Sequence, residues 1–388
     1  MAQEIGMDEK SCDVVAAGHV CLDITPTFSQ MPGKRLDEIL RPGKLIRMEG
    51  VHINPGGAVG NTGPALHRLG MRVALMGKCG DDPFGHILLE RLRNLAPGAE
   101  RGMHVVDGEN TSYSVVVALP GIDRIFLHCP DANDTFGPED VDLNAVRGCR
   151  IFHFGYPPLM RRMYDNGGAE AEELLSNVSR EGVVTSLDLS LPDPDSEAGR
   201  ADWECILGRM LPYVDIFLPS LDEILFMLDR KRFEHLVGKG DSIADGIEAA
   251  DLRCLAERCL SFGAKVVVIK CGHMGAYLKT GKPGGAFLAA TPSPEAWKGR
   301  ELFEPSCRVS RIASATGAGD AAIAGFLAAW LRGEPPARCM AFLAAVGAQN
   351  LAGVDAVSAL RPWNETQAAV DAGIEKNPLP ARLREFEG

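Results

Sequence analysis

The chain lacks a basic excess: 40 Lys and Arg stand against 52 Asp and Glu in 388 residues, a formal charge of −12. With no surplus of cations to displace counterions, nucleic acid and anionic membrane are excluded as main partners. Any phosphate group must therefore be held by local geometry. Cysteine pairing is missing as well. The eleven cysteines are an odd number, scattered without a C-x-x-C, which suits a reducing compartment where thiols behave as small hydrophobes. The nine histidines contain no H-E-x-x-H and none sits beside a cysteine pair, so spacing gives no structural zinc site. The longest apolar run, Ala321 to Leu331, is far below the ~20 residues that span a bilayer. The opening segment MAQEIGMDEKSCD is acidic without an apolar centre, unlike a signal peptide. Repeats, low-complexity tracts and a G-x-x-x-x-G-K-[ST] loop are also absent, the last excluding a Walker-type NTPase. A soluble, cytoplasmic protein is expected.

What is present is the composition of an ordinary globular protein, 46% hydrophobic and 24% charged. A chain of this length buries about three quarters of its unfolded surface and needs no covalent staple. Short β-branched runs at Asp13–Ala17, Arg72–Met76, Ile151–Phe154, Val183–Leu187, Asp215–Leu218 and Lys265–Lys270 are apolar on nearly every residue. That pattern belongs to strands buried on both faces of a parallel sheet. Helical patterns fall between them, at Ala58–Leu69, Gly85–Leu95, Leu221–Leu228 and Leu252–Ser261, so a doubly wound α/β domain is expected. Two segments break the rhythm. Cys21–Ile53 is rich in Pro and Gly, and Ser112–Leu119 and Arg124–Cys129 flank a hairpin-like Pro120-Gly121-Ile122-Asp123. They could form a small sheet covering the main one.

The strongest local chemistry lies in Ala315-Thr316-Gly317-Ala318-Gly319-Asp320, ahead of the helical stretch Ala321–Leu331. Glycines before a helix let backbone N–H groups converge at the positive end of the helix dipole, an anion site that needs no Lys or Arg. Asp320 on the first turn would stand beside that site and could take a proton from an attacking hydroxyl. A tight strand-to-helix turn is the plainer reading, and a dinucleotide loop lacks enough chain after it. Gly56-Gly57-Ala58-Val59-Gly60-Asn61 also enters a helical pattern, with room for a ligand at the glycines and a donor and acceptor on Asn61. Asp23 is a polar residue among apolar ones just after the first strand, where open α/β sheets bind ligands.

Taken in order, Asp23, Gly-Gly-x-x-x-Asn, Pro219-Ser220-Leu221-Asp222-Glu223, Lys270-Cys271-Gly272-His273-Met274-Gly275 and Thr316-Gly317-Ala318-Gly319-Asp320 resemble the PfkB family of carbohydrate kinases in the ribokinase-like superfamily. Gly77-Lys78-Cys79-Gly80-Asp81-Asp82-Pro83-Phe84-Gly85 adds to the likeness, which runs from about Val14 to Leu360. It implies a three-layer α/β/α ribokinase-like fold with a mostly parallel central sheet and a small β-sheet lid. The kinase domain would span 12–375, the lid about 21–53 and 112–130, and 1–11 and 376–388 would be terminal tails.

The implied activity moves the ATP γ-phosphoryl group to a hydroxymethyl oxygen of a sugar. Asp320 would be the base, and Gly317, Ala318 and Gly319 the anion hole. Asp23, Gly56, Gly57, Asn61 and Asn133 would hold the substrate, with Arg124 reaching in from the lid. Thr316, Lys270, Gly272 and Gly275 would line ATP, and Glu223 would organise Mg²⁺ through water. Two positions depart from the pattern: Ser314 where Asp commonly opens the late motif, and Ser220 in place of Asn before Glu223. A nucleoside kinase of the same superfamily and a non-catalytic sugar- or nucleotide-binding regulator are the alternatives. An exposed lid would also invite pairing into a homodimer.

Overall fold

The computed structural model describes residues 12–28, 36–119, 125–239, 242–282 and 284–386. The expected tail 1–11 and Arg124 lie outside them. Six strands run parallel, in the order Val73–Met76, Val14–Gly18, Ile151–Gly155, Val184–Asp188, Ile216–Phe217 and Val266–Lys270. Gly275–Thr280 and Glu301–Pro305 extend the sheet antiparallel at one edge.

The continuous apolar runs have the expected cause. Val14, Ile151, Val184, Ile216 and Val266 enter one buried core, while Val15, Phe152, Leu187, Phe217 and Val267 enter another. Adjacent residues on a strand point to opposite faces, so both faces are covered. The helices Ala318–Leu331 and Pro336–Asn350 pack on the first face, and Ala169–Arg180, Trp203–Met210, Leu221–Leu228 and Ala249–Ser261 on the second. The fold is therefore the three-layer α/β/α arrangement with a mostly parallel sheet.

Ala318–Leu331 is buried from Asp320 to its last residue, as a helix that is apolar all round should be. It can lie against Pro336–Asn350 because Gly325 carries no side chain. A Cβ there would sit 2.6 Å from the Phe342 carbonyl oxygen and 2.9 Å from Val346 Cβ.

A separate four-stranded sheet, in the order Met48–Gly56, Cys21–Phe28, Tyr113–Val117 and Ile125–Cys129, forms the cover. Val20, Leu22, Val59, Leu88 and Leu92 anchor it in a third core. The described strands of the cover fall at Cys21–Phe28 and Met48–Gly56 and at Tyr113–Val117 and Ile125–Cys129. The chain beyond Glu375 does not match a tail. Leu379 and Leu383 are buried, Arg382 donates to the carbonyls of Ile247 and Ala244, and Phe386 stacks on Phe303. The apolar side chains of Leu379, Leu383 and Phe386 dock the segment among charged neighbours.

Gly325→Ala should overpack the contact between these helices at a cost of about 1–3 kcal/mol. A calorimetric Tm equal to that of the parent chain would show that the helices do not need the close approach.

Candidate active site

The carboxyl ends of Val14–Gly18, Ile151–Gly155 and Val184–Asp188 open beneath the cover sheet. A cavity of about 740 Å³ lies there, lined among others by Asp23, Gly57, Asn61, Tyr156, Gly317 and Asp320. The fold thus brings together residues up to 297 positions apart, at the sheet edge where open α/β folds bind ligands.

Asp320 is 3% exposed and accepts three side-chain hydrogen bonds. Asn61 Nδ2 and the Tyr156 hydroxyl donate to its Oδ2 at 3.1 and 2.8 Å, and Thr62 Oγ1 donates to its Oδ1 at 3.0 Å. Burial pushes the carboxyl above its usual range, and these donors with Lys270 favour its charged form. A carboxylate has about four lone-pair sites, so roughly one is left for a ligand. Asn61 was expected on the substrate; here its amide N–H group is bonded to Asp320. Tyr156 and Thr62 were missed. Tyr156 sits just past a strand end with φ of 66°, a left-handed conformation that costs a non-glycine residue about 1–2 kcal/mol and aims the phenol at Asp320.

Gly317, also left-handed at φ 73°, turns the chain into the helix Ala318–Leu331. Among the described residues the amides of Gly319 and Asp320 have no backbone acceptor, whereas that of Ala318 is bonded to the Ala315 carbonyl. Two open amides rather than three therefore come from this turn. Thr316 lines the cavity, and its amide is bonded to Ser314 Oγ at 3.1 Å. Ser314 thus serves as a local loop brace. Lys270 Nζ lies 3.8 Å from where a Gly319 side chain would begin, so an ammonium reinforces the helix N-terminus.

Lys270 is itself held by Asp188, 2.6 Å away, with Glu223 and Asp320 close enough to act on it. Burial works against its charge, and these carboxylates overcome that and hold it above its ordinary value. Asp188 carries no motif beyond the end of a strand. Glu223 Oε2 accepts the Ser220 N–H at 2.6 Å while Ser220 Oγ accepts from the Glu223 N–H, a reciprocal cap on Leu221–Leu228. The serine found in place of Asn therefore keeps Glu223 fixed. The second oxygen of Glu223 makes no hydrogen bond among the described residues, and this hard carboxylate donor beside Asp188 fits Mg²⁺, which takes one or two carboxylates and keeps its waters.

The remaining expectations divide. Asp23 lines the cavity, and burial raises its carboxyl to about 6. Gly56 lies directly behind it: a Cβ there would fall 2.4 Å from Asp23 Oδ2. Gly57, at φ 77°, leaves the same kind of space for His19, whose Nδ1 would be 2.4 Å from a Cβ. These glycines shape the site by close approach. Asn133 is corrected: it is fully buried, and its Oδ1 and Nδ2 bond the N–H and carbonyl of Val20. It braces the strand entry and does not face the cavity. Gly272 has open space where a side chain would be, as a surface for a nucleotide requires. At Gly275 a Cβ would instead meet the Glu304 carbonyl oxygen at 2.0 Å, so that glycine serves the strand pairing.

A family model described as pfkB family carbohydrate kinase matches residues 14–361. Probable fructokinase-3 of Arabidopsis thaliana is 31% identical over 226 residues, covering 57% of this chain and 60% of that protein. The chain thus spans under two thirds of the length of that plant relative. An ATP-dependent ribose-1-phosphate kinase of Halopiger xanaduensis is 25% identical over 86% of this chain and 90% of its own. Among solved structures, fructokinase with bound ATP from Xylella fastidiosa superposes with a TM-score of 0.67 at 18% identity, covering 93% of this chain and 98% of that one.

Asp23→Asn removes a buried carboxylate whose charged form is disfavoured. Its folded-state value near 6 lies above the ordinary 3.8, so the penalty is full above about pH 6, shrinks as pH falls from there and vanishes below 3.8, where both states are protonated. The variant should have a higher Tm than the parent at about pH 8 and an equal one only at about pH 3. A Tm gain independent of pH would show that burial does not raise the Asp23 carboxyl.

Proposed function

The chain belongs to the pfkB family of carbohydrate kinases, and on that premise we propose that it transfers the γ-phosphoryl group of ATP to a hydroxymethyl oxygen of a sugar. One observation carries this reading. A buried carboxylate with one acceptor site to spare stands on the first helical turn, beside two open amides and an ammonium. Phosphoryl transfer requires little more from a protein than positioning and charge stabilisation.

Asp320 accepts the proton of the attacking hydroxyl, and its three donors hold it in one orientation. Asp23, across the cavity, binds a second substrate hydroxyl. The Gly319 and Asp320 amides and Lys270 neutralise charge on the transferring group. Thr316 and the open face at Gly272 line the nucleotide. Glu223 and Asp188 would hold Mg²⁺, which supplies further neutralisation of phosphate charge when bound. The cover sheet excludes water, which limits wasteful hydrolysis. Arg124, outside the described residues, is proposed to reach toward the substrate.

A nucleoside acceptor is the second reading, favoured by Phe126, Tyr156 and Tyr164 on the cavity wall. Free thiols at all eleven cysteines support a cytoplasmic setting. Val51 and Leu127, exposed on the cover sheet, support pairing of two copies there. Among the described residues no helix is long and apolar enough to cross a membrane.

An ATP-consumption screen over hexoses, pentoses, sugar acids and nucleosides should find a sugar acceptor. Turnover of nucleosides alone would favour the second reading, and ligand binding without any turnover would favour a regulator. Asp320→Asn should lower kcat by about 10²–10⁴-fold and leave ligand binding in place; retained turnover would remove Asp320 as the base. Tyr156→Phe deletes a donor that favours charged Asp320, so the carboxyl should rise further. The acid limb of kcat/KM should then move to higher pH, with a loss of about 10-fold or more. An unshifted limb would mean that the phenol does not act on Asp320.

A further inference from the structure

Three donors that the kinase reading does not use meet on the wall of the same cavity. His19 follows the first strand, Cys21 begins the first cover strand, and His128 comes from the last one. Their ligand atoms all lie within 4.8 Å of one another. The two imidazoles approach through Nε2, 3.3 Å apart. An ion with tetrahedral bonds of about 2.0–2.1 Å to nitrogen sets two nitrogens about 3.3–3.4 Å apart. The histidine pair already has that separation, and a small rotation of the Cys21 side chain completes the set.

The surroundings agree. Ser114 Oγ bonds His128 Nδ1 at 3.0 Å, which orients the ring and leaves Nε2 toward His19, as the outer partner of a metal-bound histidine does. Ser114 Oγ also lies 3.7 Å from Cys21 Sγ. His19 is 2% exposed, and its Nδ1 has no hydrogen-bond partner. Its Nε2, the atom facing the proposed ion, has His128 Nε2 as its protein neighbour. Two nitrogens and one sulfur are borderline-soft donors, suited to zinc and its neighbours and unlike the carboxylate donors at Glu223 and Asp188.

We propose that His19, Cys21 and His128 form a site for a zinc-like divalent cation, with its fourth position open to the substrate cavity. Binding exchanges the Cys21 thiol proton for the metal: the S–H bond breaks, the sulfur–metal bond forms and the proton goes to solvent. The filled site stands beside Asp23, so a bound cation competes with the acceptor for that wall. The coordination itself does not depend on the kinase reading.

The test uses Co²⁺ as the spectroscopic probe with full-length, chelator-treated protein. One equivalent should bind with a thiolate-to-cobalt charge-transfer band and strong visible bands of tetrahedral coordination, and Zn²⁺ should bleach both. Cys21→Ser should abolish the charge-transfer band. Ser114→Ala should weaken binding by about 10–100-fold, and His128→Ala by at least 10-fold. Cys205→Ser and Cys254→Ser, at exposed thiols, should leave the spectrum unchanged. Circular dichroism of the metal-free variants identifies any that fail to fold; His128→Ala, on the cover sheet, gives the reading if Cys21→Ser fails. Absence of a saturable tetrahedral spectrum, or full binding by folded Cys21→Ser or folded His128→Ala, overturns the site.

Discussion

The buried carboxylate of Asp320 is the constraint on which the rest of the site depends. A charge taken out of water costs several kcal/mol unless it is hydrogen-bonded, and here the donors come from distant parts of the chain. Asn61 and Thr62 belong to the helix Gly57–Arg68, and Tyr156 follows the strand Ile151–Gly155. Satisfying one carboxylate therefore fixes two helices and a strand end relative to each other. Loss of a donor would leave a buried charge short of a partner, so these contacts both specify the fold and hold the proposed base in one position.

Close backbone approach is the second device, and glycine makes it possible. Gly18 and Gly155 are register partners, and a Cβ on Gly18 would meet the Gly155 carbonyl oxygen at 2.4 Å. A Cβ on Gly155 would in turn meet Ala58 Cβ at 2.1 Å. The entry of the helix Gly57–Arg68 thus packs directly on the strand ends. Gly56 and Gly57 extend the same economy to Asp23 and His19. Side chains that line the cavity fit because the backbone behind them is bare.

Much of this architecture was legible in local sequence. Strands buried on both faces are apolar on successive residues, as Val14–Ala17 and Val266–Ile269 are, and Gly317-Ala318-Gly319-Asp320 announces a helix start with an acid on it. The cover was readable from the two interruptions in the βα rhythm. What escaped reading has the opposite character. Tyr156 and Thr62 act through one hydrogen bond each to a residue 164 and 258 positions away, and nothing in their neighbours encodes that. Asp188 looks like any strand end until the sheet sets it beside Lys270. His19, Cys21 and His128 are likewise assembled by parallel and antiparallel pairing, which no ligand spacing could reveal. Asn133 misled for a related reason: a polar residue expected on a ligand can equally satisfy a buried backbone.

The charge of −12 acquires a local meaning from this geometry. The acidic surface does not attract a polyphosphate, so attraction must come from groups concentrated at one point: the amides of Gly319 and Asp320 and the ammonium of Lys270. Yet that ammonium is outnumbered, for Asp188, Glu223 and Asp320 all act on it. Burial pushes Asp188 and Asp320 above the ordinary carboxylate range, with repulsion from Glu223 and Asp320 adding to it at Asp188, while Lys270 is held above its own. Asp188, Asp320 and Lys270 thus retain protons more strongly than they would in water, in a site whose three carboxylates leave surplus negative charge beside one ammonium. A divalent cation relieves that surplus better than a proton does, and it would leave Asp320 free to accept one. On the proposed kinase reading the acidic cluster and the open amides are complementary parts: one would recruit the cation and the other would receive the phosphoryl oxygens, and neither would suffice in a protein whose overall charge repels a polyphosphate.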